Sequence, residues 1–391
     1  MVTSTMPSSH AARGALPIVQ ILPSLQHGDA ITNHGLHLDR QLVRAGYETH
    51  LYARFLEPGF TAVGEADGAY LPWLTKPHLL IYHYALQCDN AILYRASRAA
   101  KMLIYHNITP EGFFTDYSPA LARDCVLGRL DLPTLAGCDL AVADSEYNAQ
   151  ELVSNGFDGR RIEILAPSPQ LAALDATIPS PTILERYADR SMQNLLFVGR
   201  VTPNKAHEDV IKAFALYHRH YNPRSRLFLV GSRFLPLYDQ RLLRLAVALG
   251  VGEAVVFTGR VTLPELRAYY TLADLYLCLS RHEGFCAPLA EAMHLGVPIV
   301  ARPTTAIPET LGDGGLLIDG GHGEFAEAIG RVLGDSALRA RMIAAGRAQA
   351  LNYMSEPLEA RFATIMDRFL DLGRGEDAEE TGPTGTRRAG A

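Results

Sequence analysis

The side chains best placed for chemistry in this 391-residue chain are two cations behind one apolar run and two carboxylates behind another. The run Leu195–Val198 ends in Gly199-Arg200, and Lys205 follows after a turn containing Pro203 and Asn204. A strand terminus would deliver Arg200 to a cleft edge, and the turn would return Lys205 to the same place. Two such cations suit a diphosphate and would neutralise the charge of a departing phosphate. A pair of solvated surface charges is the alternative reading of the same residues. Behind the run Leu275–Leu279 lies Arg281-His282-Glu283-Gly284-Phe285-Cys286-Ala287-Pro288-Leu289-Ala290-Glu291. Pro288 fits the first turn of a helix that Gly296 stops. The backbone N–H groups of Phe285, Cys286 and Ala287 would then face the cleft as an anion site. Glu283 falls in the loop and Glu291 about one turn into the helix. Both carboxylates could accept paired hydrogen bonds from sugar hydroxyls; otherwise Glu283 is a helix-dipole partner and Glu291 an exposed helix charge.

These segments need elements to hold them, and the apolar pattern supplies two series. Strands are expected at Ile18–Leu22, Thr49–Ala53, Leu79–Tyr84, Met102–His106, Leu140–Ala143 and Ile162–Leu165. A second series comprises Leu195–Val198, Leu227–Val230, Val255–Thr258, Leu275–Leu279, Ile299–Ala301 and Leu316–Ile318. Helix-like segments separate many of them, as at Ile31, Leu36, Leu38, Leu42 and Val43 before Gly46. Val-, Ile- and Leu-rich strands alternating with helices indicate α/β domains with covered parallel sheets. We expect a flexible N-terminus at 1–15, a first domain at 16–170 and a Pro-rich linker at 171–192. A second domain at 193–355, a closing helix at 356–372 and a polar, disordered tail at 373–391 complete the division. Two such sheets imply a cleft between them.

Composition narrows the class of function. The hydrophobic share of 48% and charged share of 20% are those of an ordinary globular protein. The net charge of −6 is carried by the part up to Asp175, and neither half has the basic excess of a nucleic-acid binder. Cys88, Cys125, Cys138, Cys278 and Cys286 are odd in number and form no CxxC pair, which reads as reduced thiols of a cytoplasmic protein. No apolar stretch reaches the roughly 18 residues of a membrane span.

The string EGFCAPLAEAMHLGVPIVARPTTAIPETLGDGGLLI closely resembles the glutamate-x7-glutamate signature of family-4 retaining glycosyltransferases. VGRVTPNK is similar to the same family's arginine–lysine phosphate clamp, and the likeness continues through FTGRVTLPELRAYYTLADLYLCLS. The resemblance implies the GT-B architecture, with two Rossmann-like domains facing a cleft, and transfer of a hexosyl unit from a nucleotide diphosphate sugar to a hydroxyl. It implies that Glu291 holds the nucleotide ribose, Glu283 the sugar hydroxyls, and Arg200 and Lys205 the leaving diphosphate, with Gly199, Gly284 and the Phe285–Ala287 backbone alongside. In the first domain, Gln26-His27-Gly28-Asp29 resembles the loop facing the donor phosphate; Asp29 could equally be a helix N-cap. His106 stands where relatives place a histidine against the transferred sugar, and a satisfied core histidine is the competing reading. His83 follows a neighbouring strand, and Ser145 after Asp144 is expected to cap a helix. Cys286 occupies a position where many relatives carry glycine. There is no Asp-x-Asp triad to hold a divalent metal, so no metal or other cofactor is expected. The resemblance implies a carbohydrate or lipid-linked acceptor in polysaccharide or glycoconjugate assembly, with weak peripheral contact at the inner face of a membrane. A nucleotide-sugar epimerase of the same shape and a non-catalytic two-lobed sugar binder are the alternatives.

Overall fold

The computed structural model describes residues 16–60 and 64–380. The first sheet contains β1 (Ile18–Leu25), β2 (Thr49–Leu56), β3 (Gly64–Glu65), β4 (Leu79–Tyr84), β5 (Ala100–Tyr105), β6 (Leu140–Ala143) and β7 (Ile162–Ile164), in the order β3-β2-β1-β4-β5-β6-β7. The second contains β8 (Gln193–Val198), β9 (Ser225–Val230), β10 (Val255–Gly259), β11 (Leu275–Cys278), β12 (Ile299–Ala301) and β13 (Leu316–Leu317), in the order β10-β9-β8-β11-β12-β13. Every pairing is parallel, with Ile18 opposite both Thr49 and Leu79 and Leu195 opposite both Leu227 and Leu275. The twelve expected strands are present. The added one, β3, is two residues long and pairs only Tyr52 with Gly64 and Ala53 with Glu65, too short for an apolar period to announce.

In each sheet the chain starts near the middle, runs outward to one edge, then crosses to the other side of its first strand. The loops after β1 and β4, and after β8 and β11, therefore open into a crevice at the switch point, where ligands of doubly wound sheets bind. That topology carries Gly28-Asp29, Gly199-Arg200 and the 281–287 segment to one region. Central strands are buried on both faces, as all six residues of β4 show. This is why they read as continuous apolar runs and not as alternating ones.

The connection expected as a linker at 171–192 contains two short helices, Leu171–Ala176 and Pro181–Arg186. Leu171, Leu174 and Ile183 are buried, and Pro181 opens the second helix instead of extending the chain. The final helix runs Ser355–Glu380, beyond the boundary expected at residue 372. Leu358, Phe362, Ile365, Met366 and Phe369 pack under the first sheet with Ile18, Ile81, Ile104 and Val142, so the chain's end covers the lobe in which it began. Residues 1–15 and 381–391 lie outside the described residues. Among those described, no helix is long and apolar enough to cross a membrane.

One glycine ties the second sheet to the cleft. A Cβ on Gly231, just after β9, would lie 1.9 Å from the Gly199 carbonyl oxygen and 2.6 Å from its carbon. The backbone after β8 sits that close because Val201 N donates to Ser232 O at 2.9 Å. We expect Gly231→Ala to destabilise the protein by about 3 kcal/mol and to displace Arg200. Denaturant unfolding checks the first effect, and a wild-type unfolding midpoint would contradict it.

Candidate active site

The cleft between the lobes has a volume of about 440 Å³. Its wall includes Asp29, His106, Asn107, Asp144, Arg200, Lys205 and the stretch from His282 to Pro288. Arg200, Lys205, Glu283 and the Phe285–Ala287 backbone thus meet there, as the sequence led us to expect.

The helix after β11 is Ala287–His294, with Pro288 in its first turn and Gly296 in the left-handed conformation beyond its end. Its first turn closes through Leu289 N to Cys286 O at 3.0 Å, so the amides of Phe285, Cys286 and Ala287 precede any intrahelical bond. Cys286 is the N-cap and has φ +79°, the left-handed region that glycine enters most readily. Asn107, Ala206 and Thr305 are the other described non-glycine residues with positive φ, and all four border the cleft or its loops. Thr305 Oγ1 accepts from Glu283 N at 2.9 Å. Asn204 O accepts from Arg281 N at 2.8 Å, and its side chain donates to His282 O at 3.2 Å. The turn carrying Lys205 and the loop carrying Glu283 are therefore stitched together.

Lys205 and Arg200 each have a carboxylate partner. Lys205 Nζ donates to Glu283 Oε2. Burial alone would lower the Lys205 amine, but the neighbouring Glu283 charge outweighs it and holds the amine above its ordinary value. Arg200 reaches across the cleft to Asp29 Oδ1 at 3.1 Å and stays 54% exposed. Asp29 also caps the helix Ala30–Arg44, its Oδ2 accepting from Thr32 N at 3.0 Å, so the N-cap reading of this residue holds, and it lines the cleft. Gly28 before it has φ +75°. Gly199 lies between the end of β8 and Arg200 and, like Gly28, is outside the cleft lining. Glu291 is also set back from that wall. Burial raises its carboxyl, and Tyr270 Oη donates to it at 2.7 Å.

His106 follows β5, its N–H extending the ladder to Tyr84 O. Its ring is engaged on both sides: Nδ1 with Asp144 at 3.0 Å and Nε2 with His83 Nδ1 at 2.9 Å. His83 Nε2 lies 3.2 Å from Gln20 Oε1, and Gln20 Nε2 donates to Asp39 at 3.4 Å. With that amide orientation, His83 donates to Gln20 and accepts from His106 Nε2–H. Burial pushes the Asp144 carboxyl upward, and the neighbouring His106 opposes that shift. A histidine satisfied within the lobe fits this arrangement, and no ring nitrogen of His106 is left for a sugar. Ser145 caps the helix Glu146–Ser154, as expected, and also donates to Gly284 O across the cleft at 2.7 Å. Sequence reasoning missed Asn107, Asn204, Thr305 and the cross-lobe role of Ser145. Only Asn204, sandwiched in the Pro203–Lys205 turn, carried a local signal.

Residues 188–349 match the family model described as glycosyl transferases group 1. The chain is 30% identical over 238 residues to D-inositol 3-phosphate glycosyltransferase of Pseudarthrobacter chlorophenolicus, covering 60% of this chain and 56% of that protein. It is 30% identical over 243 residues to the GDP-mannose-dependent alpha-(1-6)-phosphatidylinositol monomannoside mannosyltransferase of Mycolicibacterium smegmatis, covering 58% of this chain and 62% of that one. The matched stretch thus spans about three fifths of these curated relatives. Among solved structures, sucrose-phosphate synthase from Thermosynechococcus elongatus aligns with a TM-score of 0.72 at 17% identity, covering 91% of this chain and 99% of that one. HepE of Anabaena, solved with UDP and glucose, aligns at 0.67 and 17%, covering 90% and 99%. At this identity the likeness is one of fold, and the architecture is GT-B.

Burial holds His34 and His83 well below the ordinary histidine range, with the nearby His106 adding to the effect. Both rings stay neutral in the fold but take up protons near pH 6.5 once unfolded. Their contribution to stability is therefore complete above that pH and declines as acid is added, by up to about 1.4 kcal/mol per pH unit for each ring. Replacing His83 by Gln should make the fall in thermal midpoint between about pH 7 and pH 5 shallower. Parallel curves for the two proteins would show that His83 is not a source of that slope.

Proposed function

We propose that the chain is a retaining glycosyltransferase that moves a hexosyl unit from a nucleotide diphosphate sugar, GDP-mannose or a UDP-sugar, to a hydroxyl. The observation that carries the reading is the meeting of Arg200, Lys205 and the amides at the head of helix Ala287–His294 on one wall of the cleft. The match to glycosyl transferases group 1 over the lobe bearing these groups supports it. The relatives named for inositol 3-phosphate and phosphatidylinositol monomannoside support a polyol or lipid-linked sugar as acceptor in glycoconjugate assembly. A lipid-linked acceptor would bring the protein to the cytoplasmic face of a membrane as a peripheral partner.

The chemistry follows from charge. A departing nucleoside diphosphate gains negative charge on its β-phosphate as the glycosidic bond breaks. Lys205 and Arg200 offset that charge by exchanging their carboxylate partners for phosphate oxygens. The amides of Phe285–Ala287 donate to the same group with no reorganisation. Glu283, released by Lys205, turns to the sugar hydroxyls. The acceptor attacks from the face the leaving group vacates, and the phosphate takes the acceptor's proton, which retains the anomeric configuration. Glu291 binds the ribose, held in place by Tyr270. His106 acts through position: its buried hydrogen bonds fix the loop that bears Asn107 against Gly284. Protein cations do the work of charge neutralisation, so transfer proceeds without a divalent metal.

Two sets of variants test this reading. Lys205→Ala and Arg200→Ala should keep a folded protein and each lose about a hundred- to a thousandfold in turnover. Near-normal turnover in both would remove the clamp from the mechanism. A thermal-shift screen over nucleoside diphosphates identifies the base. With that diphosphate, calorimetry on Glu291→Ala should show weakened binding, while Glu283→Ala binds it nearly normally and turns over slowly. Equal losses of diphosphate affinity would contradict the separate roles.

A further inference from the structure

The wall that carries the phosphate clamp also brings together three donors of another kind. Cys278 ends β11, Glu283 lies in the loop that follows, and Cys286 caps the next helix. The two thiols and the carboxylate lie within 4.8 Å of one another, and all three residues are buried. The turn of the loop, together with the left-handed backbone at Cys286, folds this nine-residue stretch back on itself so that its ends meet.

We propose that Cys278, Glu283 and Cys286 form a binding site for a thiophilic divalent cation such as zinc, and that its occupation blocks transfer. The donor set is the one such ions prefer, two soft sulfurs and an oxygen. Bonds of about 2.3 Å to sulfur and 2.0–2.2 Å to oxygen put tetrahedral donors roughly 3.5–3.8 Å apart. The observed cluster needs only small side-chain adjustments to reach that spacing. On binding, two metal–sulfur bonds and one metal–oxygen bond form, both thiol protons pass to solvent, and nothing is oxidised or reduced. Two thiolates and a carboxylate around a doubly charged ion leave one negative charge, which the Lys205 ammonium beside Glu283 balances. Glu283 and Cys286 line the cleft, so the fourth coordination position is open to water. Cysteine at 286 supplies one of the sulfurs, and glycine there would abolish the site.

The inhibitory consequence rests on the transfer reaction proposed above, because the ion would engage the Glu283 carboxylate that serves the sugar. Binding itself does not rest on it, and the two can be separated. The reduced full-length chain is titrated with cadmium chloride while the ultraviolet thiolate-to-cadmium charge-transfer band is followed. Equilibrium dialysis gives the stoichiometry. One ion per chain is expected, displaced by zinc, with the band lost in Cys278→Ala and in Cys286→Gly. Cys278→Ser serves as a second test of the same sulfur should the alanine variant not fold. In parallel, zinc should inhibit the wild-type transferase reversibly by chelator, with at least tenfold weaker inhibition of Cys278→Ala, whose turnover without metal is unchanged. No band at one ion per chain, or an undiminished band in the Cys278 variants, overturns the site. A band at that stoichiometry without zinc inhibition overturns the blocking role. A band with no turnover on any nucleotide sugar sustains the site and counts against the transferase reading alone.

Discussion

The loop after β11 can occupy the cleft only because residue 284 has no side chain. A Cβ on Gly284 would lie 2.9 Å from Asn107 Cβ, 3.2 Å from His106 O and 3.3 Å from Asn148 Nδ2, all three from the opposite lobe. The Ser145 hydroxyl takes up the Gly284 carbonyl from the same side. Glu283 lies immediately before this contact and the Phe285–Ala287 amides immediately after it. Apposition of the lobes and placement of the Phe285–Ala287 amides are thus one geometric condition. The N-terminal sheet contributes backbone and hydrogen bonds at the contact, while the charges that would meet a diphosphate come from the C-terminal sheet. Glu309 adds a second clasp, its carboxylate accepting from Glu146 N at 2.9 and 3.0 Å.

Rigidity on the C-terminal side has an identifiable source behind the cleft. Asp209, almost fully buried in helix His207–His220, accepts from Arg281 at 2.8 Å, Arg302 at 3.0 Å and His322 at 3.0 Å. Those partners follow β11, follow β12 and open helix His322–Gly334, so one carboxylate ties down three separate loops. Burial would raise Asp209, but the bonds from His322 and Arg302 and the charge of Arg281 hold it below its ordinary value. A fixed carboxylate of this kind keeps the Arg281–Glu283 loop in place, and a preorganised site has less to reorganise when charge develops. Arg200 is different. It is more than half exposed and held by a single surface pair with Asp29, an interaction worth little on its own. Exchange of that partner for a ligand is correspondingly easy.

How far the sequence reveals this arrangement depends on the range of each interaction. Strands such as Leu79–Tyr84 and Leu195–Val198 are legible because burial on both faces writes itself as an unbroken apolar run. Pro288 and Gly296 mark the helix between them through their own backbone limits. Strand ends and the turns after them then bring Arg200, Lys205 and Glu283 to one cleft edge. What escapes is long in range or subtle in phase. Ser145 shows its capping role through its neighbours, but its bond to Gly284 joins residues 139 apart in the chain. The hydrogen-bonded line Gln20–His83–His106–Asp144 draws on four strands or strand ends, and no spacing rule connects them. A two-residue strand such as β3 has no period to detect.

The four left-handed non-glycine residues complete the physical picture. A side chain in that conformation costs about 1–2 kcal/mol relative to ordinary helical backbone, a cost that glycine largely avoids. Asn107 recovers part of it through bonds to Asn148 at 2.8 Å and Glu151 at 3.0 Å, and Thr305 through its bond to Glu283 N. Ala206 joins the Lys205 turn to its helix and is fully buried, so its methyl group contributes packing. Cys286 has no such bond to loop backbone. Its thiol lies within 4.8 Å of the Cys278 sulfur. Glycine would satisfy the backbone at 286 and leave the amide pointing into the cleft. The strain at this position therefore comes with a side chain that glycine would lack.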